Sequence, residues 1–175
     1  MKKLIMVVLV ALVAQVTMAQ MNILEWRGDW ALIEEPGNLM DEGLVYPRRL
    51  GDVFGTNLTI LPLDESTVGV AVEFGDYLGG NSYGEAMMFV TDKMSKATTF
   101  ENVFRVGDSM LIVAIEGDVL ALLEQLVLAD TAMFRALDYR GRQHDVTLSG
   151  LVQENVEWAI QYVYYSMAVD AYRDE

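Results

Sequence analysis

The chain has 175 residues, no cysteine and a single histidine, which excludes thiol catalysis, iron–sulfur clusters, zinc–thiolate sites and multi-histidine metal sites. It carries 26 Asp and Glu against 12 Lys and Arg. So acidic a surface repels nucleic acid and anionic lipid, which are held mainly through Lys and Arg, and attracts cationic partners or divalent ions.

The first element is an export signal. Lys2 and Lys3 precede an apolar run, LIMVVLVALV, from Leu4 to Val13, and Thr17 and Ala19 supply the small side chains at −3 and −1 of a cut after Ala19. The run is shorter than the roughly 20 apolar residues a spanning helix needs. The expectation is a signal peptide over 1–19, one exported domain over 20–175, and no stable membrane insertion after cleavage. The short, Lys-led signal points to a bacterial source, hence periplasm or medium. Removing Lys2 and Lys3 leaves 10 basic against 26 acidic side chains, a net charge of −16.

Glu25–Glu34 reads as one strand anchored by Trp26 and Trp30. Arg27-Gly28-Asp29, the tripeptide of integrin ligands, falls inside that strand rather than at the loop tip it would need. Residues 35–55 hold Pro36, Pro47, Gly37, Gly43, Gly51 and Gly55 and read as a long loop, a form that in compact domains often carries function. Asn57–Leu61 and Thr67–Phe74 follow as strands, the second with Val68, Val70 and Val72 on one face. Gly75–Gly84 reads as a Gly-rich hairpin turn. Glu85–Thr91, Phe100–Val106 and Met110–Glu116 suggest an antiparallel meander.

At Asp118 the period changes. Leu120, Leu122, Leu123, Leu126 and Val127 fall at helical spacing, with Asp118 as the cap. Ala132–Tyr139 and His144–Ser149 flank Arg140-Gly141-Arg142 as a hairpin with glycine in the turn. Leu151–Tyr172 carries apolar residues at 152, 156, 159, 160, 163, 167 and 168, one stripe of an amphipathic helix that Ser149 would cap. The fold class expected is α+β: one domain, mainly antiparallel sheet or sandwich of about seven strands, with two late helices at about 118–129 and 151–172.

Gly80-Asn81-Ser82-Tyr83-Gly84 matches G-x-S-x-G, the nucleophile elbow of α/β-hydrolases, and Ser82 with His144 would make a small serine hydrolase. The elbow must lie between a strand and a helix, whereas EAMMFVT after it is strand-like, so a turn is the better reading. Gly107-Asp108-Ser109 looks like the GDS block of GDSL-type esterases, but residues 141–144 lack the aspartate of its Asp-x-x-His partner, and a turn is again preferred. Glu34 with Glu35, Asp41 with Glu42, Glu73 with Asp76, and Glu116 with Asp118 are carboxylate pairs of the kind used in glycosidases or Ca²⁺ sites. None lies in an EF-hand loop, and with 26 acidic residues such pairs arise by chance. No cofactor and no metal site is read; a Ca²⁺-stabilised surface protein stands as a third alternative. His144, beside Asp145, reads as a surface histidine. Trp158, Tyr162, Tyr165 and Tyr172 put an aromatic flank on the last helix, with Tyr164 beside it, and Tyr and Trp are favoured at protein interfaces.

Over residues 118–160, the Leu-rich helix DVLALLEQLVLAD, a strand with Arg135, the Tyr-Arg-Gly-Arg turn and HDVTLSGL are followed by a helix. This stretch resembles the C-terminal part of small exported bacterial proteins of the invasion-associated protein B type and of the VasI type linked to type VI secretion. The resemblance implies a β-sandwich-like accessory protein with no catalytic residues to transfer. The leading expectation is a non-enzymatic exported binding or accessory protein that meets another protein through the 35–55 loop and the C-terminal aromatic helix.

Overall fold

A computed structural model describes residues 22–35, 44–64, 66–79 and 82–173, without the side chains of 82–84 and 170–173. Residues 1–19, where an export signal is expected, and the side chains of Ser82 and Tyr172 lie outside the described residues. Ten strands form one antiparallel sheet: β1 (Asn22–Arg27), β2 (Trp30–Glu35), β3 (Leu44–Leu50), β4 (Thr56–Pro62), β5 (Val68–Phe74), β6 (Ser82–Thr91), β7 (Thr98–Val106), β8 (Met110–Val113), β9 (Thr131–Leu137) and β10 (Gln143–Ser149). Among the described residues there are two helices, α1 (Glu116–Leu128) and α2 (Gln153–Arg173). The α+β class holds; the expectation of about seven strands does not.

Two local misreadings account for most of the shortfall. Glu25–Glu34 is not one strand but the β1–β2 hairpin, with Trp26 paired to Ala31 and Arg27 to Trp30 across a Gly28-Asp29 turn. Gly28 sits at φ +61, a left-handed backbone that favours glycine, and a Cβ there would come within 2.5 Å of Asn155 Nδ2 on α2, so a side chain would also have to push Asn155 aside. Arg27-Gly28-Asp29 is therefore at a hairpin tip. It is not free there, because Asp29 pairs with Arg49 at 3.0 Å. The second misreading is the 35–55 loop, whose second half contains β3. Pro47 hides that strand. It pairs with Leu32 of β2, while the ladder to β4 runs only from Arg48 to Leu50, so the missing N–H falls where no bond to β4 is made.

The strand order is β1-β2-β3-β4-β5-β8-β7-β6-β9-β10. The β6–β7–β8 meander is present, but β5 pairs with β8 rather than with β6. Between β5 and β6 the chain therefore passes two strands, β8 and β7, and does not make the hairpin turn expected at Gly75–Gly84. Arg105 fastens that crossover: its buried guanidinium donates from Nη1 to Leu78 O at 2.8 Å and from Nη2 to Leu137 O at 3.3 Å, and it pairs with Glu85 at 3.0 Å. Gly79 lets it pass, since a Cβ there would lie 2.6 Å from Arg105 Nη1.

One face of the sheet carries the main core. Leu58, Ile60, Val70, Val72, Phe89, Phe134, Val146 and Leu148 pack there with Val119, Leu122, Leu123 and Leu126 of α1 and Val156, Ala159 and Val163 of α2. Trp30 of β2 and Leu148 of β10 share this cluster although eight strand positions separate them in the order. The sheet must curve around the cluster to bring them together. The last strand, β10, then meets β3 and the turn after it directly: Asp52 N donates to Thr147 O at 3.1 Å and Arg49 Nη2 to Ser149 O at 2.8 Å.

Helix α1 begins earlier than expected. Ile115 is its N-cap, without a side-chain bond, and Asp118 lies in the first turn with Glu116, where their charges face the positive end of the helix dipole. Ser149 does not cap α2 either; it ends β10 and its hydroxyl donates to Asp52. The β9–β10 hairpin is as expected, with Gly141 at φ +77 and the Asp138 carboxylate accepting from Arg140 N and Arg142 N at 2.8 and 2.9 Å.

Candidate partner surface

Helix α2 carries two parallel stripes. Val156, Ala159 and Val163 are buried against the sheet. Trp158, Tyr162 and Tyr165 follow one another at i, i+4 and i+7 and so share a neighbouring face. The Trp158 and Tyr162 rings are half-buried with centroids 6.3 Å apart, whereas Tyr165 is 72% exposed. Tyr164 turns elsewhere; partial burial, aided by the Glu116 charge, pushes its hydroxyl above the ordinary tyrosine range. Tyr172 falls on the same stripe by spacing, with its side chain outside the described residues.

Strand β1 reaches this stripe. The guanidinium of Arg27 lies over the Trp158 ring, 5.6 Å from its centroid. All six residues of β1 are exposed, and Ile23, Leu24 and Trp26 are each about half exposed. Pairing assigns the faces. Arg27 opposes Trp30 and Glu25 opposes Leu32, on the side of the helices; Trp26 opposes Ala31 and Ile23 opposes Ile33, on the other side.

That other side holds a second core of Ala31, Ile33, Tyr46, Leu61, Leu63, Ala71, Val106, Met110 and Ile112, all from strands or their edges. Beside it runs a buried polar chain that no sequence pattern signals. Tyr46 Oη donates to Glu35, Arg48 Nη2 donates to Tyr46 Oη at 3.2 Å, and Arg48 Nε donates to Thr59 Oγ1 at 3.2 Å. Burial drives the Tyr46 hydroxyl far above its usual range, although the charge of Arg48 opposes the shift. The chain satisfies polar groups from β2, β3 and β4 that would otherwise be costly to bury.

His144 is not the free surface group expected. Its Nδ1 lies 3.1 Å from Asp76 Oδ2 and its Nε2 3.4 Å from Asp138 Oδ2, so both ring nitrogens face carboxylates. Ser82 is the first residue of β6, and the next helix is α1 at Glu116, so the strand-to-helix context of a nucleophile elbow is not formed around it. Among the described residues, no group of three or more His, Asp or Glu could hold a metal ion. No helix among them is long and apolar enough to cross a membrane. An open cleft of about 430 Å³ between α1 and the β6–β7 turn is lined by Phe89, Phe100, Lys93, Lys96, Glu124 and Gln125. Lys93 is already paired there with Asp92 and Asp130, at 2.8 and 2.5 Å.

No family model, no curated protein and no solved structure matches the chain.

Proposed function

We propose that this is an exported bacterial binding or accessory protein that acts without catalysis, through contacts with another protein. The observation that supports this reading is the surface made by Trp158, Tyr162 and Tyr165 of α2 with Arg27 of β1 laid on Trp158. It combines large, rigid aromatic area with one cation, the composition favoured at the centres of protein interfaces. The polar chain of Glu35, Tyr46 and Arg48 and the clamp on His144 both bind the fold together rather than present a reactive group. Nucleic acid and anionic membranes are poor partners for a chain with 26 acidic residues.

A photo-crosslinking residue placed at Tyr165, in the protein exported by its bacterial host, tests the reading. The expected result is one discrete adduct with another protein from position 165 and none from Leu137, which is exposed at the end of β9. Absence of an adduct at 165, or equal labelling from both positions, overturns it. The same material reports export, since the recovered chain is expected to begin at Gln20.

A further inference from the structure

We propose that β1 is a self-association edge: the β1 strands of two copies pair antiparallel about a two-fold axis and join the two sheets into one. The sheet has two ends, and they are treated differently. At β10 the outward backbone of the last residues is occupied, because Asp52 N bonds Thr147 O, the Asp52 carboxylate takes Ser149 N at 3.1 Å, and Arg49 takes Ser149 O. At β1 the neighbour on one side is β2, and among the described residues the other side has none. An open edge carrying exposed apolar side chains is a template for another strand.

The occupant follows from the side chains. Glu25 and Arg27 lie on one face of β1 two residues apart, and among the described residues neither has an ion-pair partner. An antiparallel pairing centred on Trp26 sets Glu25 of each copy opposite Arg27 of the other, two complementary pairs created by one symmetry operation. On the opposite face it sets Trp26 against Trp26 of the other copy, next to Ala31 and Ile33, so the apolar second face continues across the junction. The bulge in β1 lies between Ile23 and Glu25, outside the regular stretch Glu25–Arg27 that this register uses. Pairing β1 with β10 of another copy, the head-to-tail alternative, would have to displace Asp52 and Arg49 from Thr147 and Ser149. The association therefore closes at two copies. It does not depend on the reading of α2 as a docking surface, and a dimer would display that surface twice.

Light scattering and sedimentation of the exported chain over a wide concentration range test the proposal. The expected result is a reversible monomer–dimer equilibrium. Arg27→Glu sets two like-charge pairs across the junction and is expected to raise the dimer dissociation constant about tenfold or more. The double variant Glu25→Arg with Arg27→Glu restores dimerisation, since the pairs re-form with their signs exchanged. Trp26→Arg, at an exposed position that leaves the fold intact, is expected to be monomeric. A chain that stays monomeric at every concentration overturns the proposal, as does a mass that grows beyond the dimer. Dimerisation unaffected by Arg27→Glu or Trp26→Arg, or not restored by the double variant, also overturns it. The crosslink from position 165 is read in Trp26→Arg, which leaves Arg27 on Trp158, and is expected to persist there, which separates failure of the dimer from failure of the partner surface.

Discussion

Arg27 of β1 lies over the indole of Trp158 on α2, 5.6 Å from the ring centroid, and so ties the edge of the sheet to the face of the last helix. The two residues are 131 positions apart in a chain of 175. Glycine at position 28 allows the approach by letting the hairpin tip press against Asn155.

A cation over an indole at an exposed site contributes about 0.5–1 kcal/mol. Arg27→Ala is expected to lower the stability measured by urea denaturation by that amount, and Arg27→Lys by less. Leu24→Ala, also on exposed β1 but away from Trp158, is the control and is expected to stay within about 0.5 kcal/mol of the parent. Equal losses at positions 24 and 27 would show that the Trp158 contact is not what holds β1.

Asp138 organises the β9–β10 turn. Its side chain has no exposed surface and accepts from Arg140 N, Arg142 N and, at 2.7 Å, Arg142 Nε. Burial alone would raise its pKa, but the donors from Arg142 and Arg140, with His144 beyond them, hold it well below the usual carboxylate range. Asp138→Ala is expected to lower the melting temperature clearly and to free the backbone amides of Arg140 and Arg142 for hydrogen exchange. Asp138→Asn, which keeps an acceptor of the same shape, is expected to have the smaller effect. Unchanged exchange at both amides in Asp138→Ala would refute the role assigned to this carboxylate.

Asp92 supplies a pH dependence whose sign can be worked out. Lys93, then the backbone N–H groups of Thr131 and Asp130, lower its pKa to about 2. A carboxylate depressed in the folded chain adds stability above its ordinary value near 4, and that stability is lost as pH falls through the folded value. Asp92→Asn is therefore expected to melt below the parent near neutral pH, with the gap closing between about pH 4 and pH 2. Thermal melts of both proteins across that range check it; a gap that persists at pH 2 would rule out the linkage.

The legible parts of the fold were those written in a single element. The alternation of Ala132, Phe134 and Ala136 and of Val146 and Leu148, with glycine between the two runs, specified the β9–β10 hairpin. The spacing of Val156, Ala159 and Val163 specified the buried face of α2, and the same helix displayed Trp158, Tyr162 and Tyr165 as a second face. By contrast β3 was unreadable, because Pro47, Arg48 and Arg49 look like loop until the strands beside them supply partners. Arg48 is buried because Thr59 and Tyr46 accept its N–H groups, and Tyr46 because Glu35 accepts a hydrogen bond from its hydroxyl. The turn at Gly28-Asp29 was hidden between two tryptophans that read as one continuous strand.

The amino-acid sequence by itself determined the acidity of the chain, the absence of thiol chemistry and the periodicity of the late elements, since each is a property of composition or of neighbours along the chain. Only the tertiary structure decided which strands are adjacent, that β5 meets β8 and that Arg27 meets Trp158. Those pairings join residues far apart along the chain. They are selected by the shape of one shared core and by hydrogen-bond partners that a local pattern does not contain.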